Sequence, residues 1–188
     1  MENRVRIIDL DCHDQVVVQR AAALLVEGFK ELSPNAWPNL ETGLDEVRDA
    51  CQADRIARVA VDEVGTVLGW IGGISHYDGH VWEIHPLVVS PAHQRTGIGR
   101  MLVADLEDLV RERGALTLWV GTDDESNRTT LSGIDLYPDV CQNIANIRNI
   151  HGHPYSFYQK LGFVIVGVMP DANGFGKPDI YMAKRVSK

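Results

Sequence analysis

Apolar and polar positions along the chain divide it into short strands and amphipathic helices. Residues 5–10 read as a first strand. Over residues 14–29 the apolar positions follow a helical rhythm, with Asp14 placed to cap the start. Pro34 and Pro38 break that pattern, because neither can continue a helix, and a second helix is expected over residues 41–53. Residues 56–61 and 67–75 flank a turn containing Gly65 and read as a hairpin. The turn at residues 77–80 leads into a strand over residues 81–89, which Pro86 interrupts. A proline within a strand removes a ladder donor and marks a bulge or a place where pairing stops.

A helix over residues 98–113 carries Ile98, Met101, Leu102, Leu106, Leu109 and Val110 on one side, and Gly114 ends it. Residues 116–120 read as a short buried strand. The polar stretch 121–152 is expected to hold an irregular helix about residues 138–150. A short helix over residues 155–161 is entered through Pro154, and residues 163–169 and 180–185 read as closing strands. With no internal repeat and no linker, the order predicts one domain over residues 1–188, an α/β sheet with helices packed on it.

Composition narrows the function. At 188 residues, 45% of them hydrophobic, the chain can bury a real core. Its apolar runs fall far short of the about twenty residues a membrane helix needs. The N-terminus lacks a basic start followed by an apolar stretch, so a cytoplasmic protein is expected, with no membrane partner. Cys12, Cys51 and Cys141 are an odd, scattered set, which argues against a disulfide framework and for reduced thiols. His76, His80 and His85 fall on two expected strands and their turn, not together on one helix face, so no metal is expected. A net charge of −8 disfavours a nucleic-acid partner and fits a small cationic substrate, though acidity also serves mere solubility.

The most informative segment joins the strand ending at Val88 and Val89 to the helix beginning at Ile98. A helix start presents backbone N–H groups without internal partners and carries the positive end of the helix dipole. Gly97 and Gly99 let an anion approach those groups, and Arg95 and Arg100 add positive charge. The segment lacks the Gly-Lys-Ser/Thr of a nucleotide-binding P-loop, since Arg100 and Met101 follow Gly99. Gln94-x-x-Gly97-x-Gly99 resembles the pyrophosphate-binding signature of the GNAT superfamily of N-acetyltransferases. Stretches around Trp82 to Val89, Gly121 to Glu125, His153 to Phe163, Ile165 to Val168 and Asp171 to Lys184 resemble its aminoglycoside 6′-N-acetyltransferase branch. The first third of the chain, apart from Trp37 and Pro38, matches that branch poorly, and residues 28–41 are longer than the branch implies.

The resemblance implies a GNAT fold: a mixed, mostly antiparallel central sheet splayed at the acetyl-CoA site, with helices on both faces. It implies acetyl-CoA as co-substrate, held by Val88, Val89, Gln94, Arg95, Thr96, Gly97, Ile98, Gly99, Arg100 and Asn149, and a homodimer. Acetyl transfer to an amine needs a deprotonated nucleophile held in line with the thioester, a donor for the oxyanion and an acid for the departing thiolate. Glu83 and His85 lie two apart on a strand and so share a face, where they could bind an ammonium and relay its proton. By resemblance, the N–H of Leu87 would polarise the thioester carbonyl and Tyr158 would donate to the leaving thiolate. Trp37, Glu41 and Asp179, together with Glu83, are the expected acceptor-binding residues. The alternatives are transfer to a polyamine, a peptide or a protein lysine, or a non-catalytic acetyl-CoA-binding module; Glu83, His85 and Tyr158 speak against the last.

Overall fold

Side-chain caps start the first two helices. Asp14 Oδ1 accepts from the backbone N–H groups of Val16 (2.8 Å) and Val17 (3.3 Å), opening α1 (Gln15–Phe29). Asn39 Oδ1 accepts from the N–H of Thr42 at 3.0 Å and opens α2 (Leu40–Ala50). This second helix stops three residues sooner than its polarity suggests, because Cys51 closes it by donating its N–H to the carbonyls of Arg48 and Asp49. The computed structural model describes residues 4–187. They form two compact units, one reaching to Leu118 and rejoined from Val186, the other Trp119–Arg185.

In the first unit β1 (Arg6–Asp9), β2 (Arg55–Val61), β3 (Val67–His76) and β4 (Val81–Val89) pair antiparallel in chain order. Helices α1 and α2 cover one face. Ala21, Leu25, Val47, Val59, Trp70 and Val88 form a common core there, and the Trp70 indole donates to the Ala21 carbonyl at 3.0 Å. Helix α3 (Ile98–Glu112) covers the other face, bringing Leu106 against Gly73. Arg58 reaches from β2 to Asp105 on α3 (2.7 Å) and to Asp9 on β1, tying this second face together. Leu25 and Leu106 are fully buried, and truncation of either to alanine is expected to cost about 2–5 kcal/mol.

The expected interruption at Pro86 is a bulge. Leu87 pairs with Ile71 and Ile84 with Gly73, so β4 uses two residues, His85 and Pro86, where β3 uses Gly72 alone. The extra residue reverses which side chains face which helices. Before it, Glu83 and His85 face α1 and α2, while Trp82 lies beside Gly73 and Leu106 on the α3 side. Beyond it, Val88 enters the α1–α2 core opposite Trp70. Leu87 and Val89, paired with Ile71 and Gly69, therefore turn toward α3. At Gly72 a Cβ would lie 2.2 Å from the His85 carbonyl oxygen, so a side chain there has no room.

In the second unit β5 (Thr117–Asp123), whose first residues belong to the first unit, is followed by α4 (Val140–Ala145), α5 (Tyr155–Lys160), β6 (Val164–Met169) and β7 (Asp179–Arg185). Strand β7 lies between β5 and β6, antiparallel to β6. The helix expected about residues 138–150 is only a 3-10 turn at Tyr137–Asp139 and the six residues of α4. Beyond it Asn149 bridges back to Thr129. Fully buried Asp124 accepts from the N–H groups of Arg128 (2.6 Å) and Thr129 (2.8 Å), which gives this irregular loop a fixed internal anchor.

The cysteines depart from expectation. Cys12, between β1 and α1, is disulfide-bonded to Cys51 at the end of α2, with Cα atoms 6.0 Å apart; Cys141 is free and exposed. Chain separation concealed the pair, because antiparallel packing of α1 and α2 returns the end of one to the start of the other. The cysteine-based reason for a reducing compartment falls with this pairing. Closing a separation of 39 residues is worth roughly 4 kcal/mol in the chain-entropy account. Cys51→Ser should therefore lower the thermal midpoint by roughly 10 °C relative to the oxidised protein. Equal midpoints, with and without reductant, would show the two thiols unjoined.

Candidate active site

Two carboxylate–imidazole pairs stand on the α1–α2 side of β4. Glu83 Oε2 and His76 Nε2 are 2.8 Å apart, diagonal neighbours across β3 and β4. His85 Nε2 lies 3.5 Å from Oε1 of Glu46, which α2 supplies. The other oxygen of Glu46 accepts from the Trp37 indole at 3.4 Å. The rings of Trp37 and His85 lie 5.9 Å apart, and Phe29 meets Trp37 edge-on at 4.7 Å. One glutamate thus serves an imidazole and an indole at once.

Charge follows from this packing. The hydrogen bond that His85 donates to Glu46, against the opposing effect of burial, raises the His85 pKa above its ordinary value; the charges of Glu46 and Glu83 add to the rise, and Arg55 opposes it. Burial disfavours ionisation of Glu46, but His85, Trp37 and the charge of Arg55 outweigh it and hold the carboxyl below its usual range. The face therefore carries two carboxylates beside a histidine inclined to keep its proton. Such a surface suits a cationic amine.

The turn after β4 lies on the same unit. Pro91–His93 makes one turn of 3-10 helix, after which Arg95 takes a left-handed φ of 63° and Gly97 one of 98°. Thr96 Oγ1 donates to the His93 carbonyl at 2.6 Å and Gln94 Nε2 to the Val89 carbonyl at 3.4 Å, which holds the turn back on the end of the strand. Gly97 then serves as N-cap of α3 with no side-chain cap bond, and no acidic residue occupies the first turn of the helix. A Cβ built at Gly97 meets nothing within 4 Å, so the approach to the helix start is open. Gln94, Arg95, Thr96, Gly97 and Arg100 are exposed, while Ile98 is buried beneath them as an anchor. The combination of free N–H groups, partial positive charge and open space fits a diphosphate.

Tyr158 and Asp179 belong to the second unit. Tyr158 on α5 is buried between Phe157 and Phe163, and burial raises its pKa far above the ordinary tyrosine value, so it keeps its proton. Half-buried Asp179, the first residue of β7, lies against Gly121 of β5. Both amide hydrogens of Asn149 are engaged, to the His153 carbonyl (2.8 Å) and Ser156 Oγ (2.7 Å), and its oxygen accepts from the His153 N–H. It fastens the entry to α5. His153 beside it is neutral in character: burial lowers its pKa, Nδ1 accepts from the Tyr155 N–H and Nε2 then donates to the Asp123 carbonyl.

Glu41 is exposed in the first turn of α2, and the helix brings a different carboxylate, Glu46, to His85 and Trp37. A signal for it was present. Glu46 stands three residues from Gly43 and four from Ala50, both buried, which puts it at the margin of the helix face turned inward. His76 likewise lay in view, but its pairing with Glu83 depended on the strand register. Among the described residues no group of three His, Cys, Asp or Glu side chains is arranged to hold a metal ion. Gly72→Ala should destabilise the protein by roughly 1–3 kcal/mol, because the His85 carbonyl must shift; a denaturation midpoint equal to that of the unmodified chain would contradict the tight bulge.

Residues 23–137 match the acetyltransferase (GNAT) family. Among curated protein sequences no match was found. The fold is similar to that of an aminoglycoside 6′-N-acetyltransferase complexed with coenzyme A, with 40% identity, a TM-score of 0.87, and 96% of this chain and 97% of that one covered. An aminoglycoside 6′-N-acetyltransferase from Enterococcus faecium is also 40% identical, with a TM-score of 0.84 and the same coverage. An aminoglycoside 6′-acetyltransferase of type Ii is 34% identical with a TM-score of 0.72, again over 96% of this chain and 97% of that one. The chain is an enzyme and belongs to the acetyltransferase (GNAT) family.

Proposed function

We propose that this enzyme transfers an acetyl group from acetyl-CoA to the 6′-amine of aminoglycosides. The observation that carries the reading is the 40% identity, over 96% of the chain, to an enzyme of that specificity complexed with coenzyme A. The acidic face of β4 beside an open anion-binding turn is the geometry such a reaction needs. The N–H groups that open α3 at Gly97, Ile98 and Gly99, with Arg95 and Arg100, would hold the diphosphate. Bound acetyl-CoA supplies a thioester carbonyl and a thiolate leaving group.

The chain's own residues account for the rest. Glu83 and Glu46 attract the substrate ammonium to the α1–α2 side of β4, and Trp37 provides a flat wall for it. Glu83 takes up the proton that the amine must lose, and hydrogen-bonded His76, which is partly exposed, provides a way toward solvent. His85 adjoins this path and sets its local charge. Leu87, next to the register shift, offers its N–H to the developing oxyanion, a contribution of about 3 kcal/mol where such a donor is well aimed. Tyr158, retaining its proton, is the proposed donor to the departing thiolate, and Asp179 a further acceptor-binding carboxylate.

Release of CoA from acetyl-CoA, followed with a thiol reagent, tests the proposal with kanamycin, tobramycin, spermidine and a lysine peptide offered separately. Release is expected with the two aminoglycosides; release with the peptide alone would overturn the substrate assignment. Tyr158→Phe should lower turnover about ten- to a hundredfold with acetyl-CoA affinity unchanged by calorimetry, and a large loss of affinity would argue against its role. Gly97→Glu places a carboxylate at the helix start and should abolish acetyl-CoA binding; retained tight binding would misplace the diphosphate.

A further inference from the structure

We infer that Glu46 is a positioning residue of the acceptor site, a single carboxylate that fixes the His85 imidazole and the Trp37 indole in one arrangement. Its two oxygens are divided between the two rings, Oε1 at 3.5 Å from His85 Nε2 and Oε2 at 3.4 Å from Trp37 Nε1. Its side chain is only 16% exposed, so the carboxylate is removed from most of the water that would otherwise solvate it. A charge so placed needs these partners. They in turn lie on separate elements: His85 in the bulge of β4, and Trp37 in the segment between α1 and α2.

The position of Glu46 is itself well determined. Buried Gly43, Val47 and Ala50 seat α2 against the first unit's core, and Cys51, one residue beyond the helix, is disulfide-bonded to Cys12. From that fixed backbone a glutamate reaches both rings, and an aspartate would be one methylene shorter. The segment carrying Trp37 has no regular structure and holds two prolines, so its indole depends on side-chain partners for its orientation. Phe29 supports one side of the ring and Glu46 fixes its N–H.

His85 is faced by Glu46 from α2, by Glu83 from its own strand and by Arg55 from β2, with Trp37 against its ring. Two carboxylates outweigh one guanidinium, and the imidazole is inclined toward its protonated form. Without the Glu46 charge only Glu83 remains to offset Arg55 and burial. The inference deepens the proposed acceptor site and rests on that reading for its role in turnover, but the coupling of Glu46 to His85 belongs to the free protein.

The test uses the isosteric Glu46→Gln variant of the full chain. Proton–carbon NMR of the histidine rings, with the His85 resonance assigned by its loss in His85→Gln, should show the His85 midpoint falling. The Trp37 indole N–H resonance should move as well. An unchanged His85 midpoint in a folded variant overturns the inference. In kinetics, kcat should fall roughly tenfold and KM for the aminoglycoside should rise, while KM for acetyl-CoA stays the same. Adding Glu46→Gln to His85→Gln should slow the enzyme further by less than Glu46→Gln does alone, the remaining loss coming from the Trp37 bond; a full additive loss would overturn action through His85. Should Glu46→Gln fail to fold, the reciprocal measurement decides. The Glu46 carboxyl must titrate at higher pH in His85→Gln than in the unmodified chain, and no change would overturn the coupling. The NMR arms need no substrate, so a moved midpoint without acetyl transfer would refute the functional reading and leave the coupling standing.

Discussion

The first unit is organised by one steric constraint, the crowding of His85 and Pro86 on β4 against the single residue Gly72 on β3. A strand alternates its side chains strictly, and an inserted residue is the way to change sides without leaving the sheet. Here the change falls between the charged and apolar halves of β4. Ahead of it, Glu83 and His85 meet groups delivered by β3 and α2; after it, Val88 is released into the α1–α2 core and Leu87 turns to the face covered by α3. Two unlike environments follow each other within a few residues because one position opposite them carries no side chain.

The second organising element is electrostatic. Glu83 and Glu46 both lose much of their contact with water, and each is matched with an imidazole close at hand. Paired charges of this kind do little for stability, since desolvation consumes most of the attraction. Their value lies in orientation and in charge state. His85, beside two carboxylates, and Tyr158, kept protonated by burial, are moved in the same sense, toward holding a proton, by entirely different causes: one by its hydrogen bond to Glu46 and by neighbouring charge, the other by loss of solvent. Proton-handling groups of both origins occur in one short chain.

Much of this was readable from the sequence. Strong helical periodicity located α1 and α3, Asp14 marked its own cap, and Pro86 marked the irregular point in β4. The glycine-bearing turn was legible because a strand end, two glycines and a periodic helix stood in immediate succession. The partners of Glu46, the Cys12–Cys51 bond and the His76–Glu83 pair were not, since each depends on how elements distant in the chain are brought together, and local pattern carries no register or helix pairing. Asn149 makes three hydrogen bonds within its own segment, another set of contacts that no local pattern announces. The segment before α5 has little periodicity, and its shape comes from buried Asp124 and from such side-chain bonds, which no apolar rhythm announces.

The side-switching of β4 also bears on how such an enzyme can diversify. Residues 83 and 85 answer to α2 and the loop before it, whereas residues 87 and 89 answer to the opposite layer, so substitutions in the first pair and the second have few neighbours in common. Changes remote from one another in their surroundings tend to combine without interference. On the proposed reading, a change in the irregular stretch around Trp37 would reach His85 without meeting the half of the strand that leads to the Gln94 turn. The bulge acts as a firebreak between the two halves of β4.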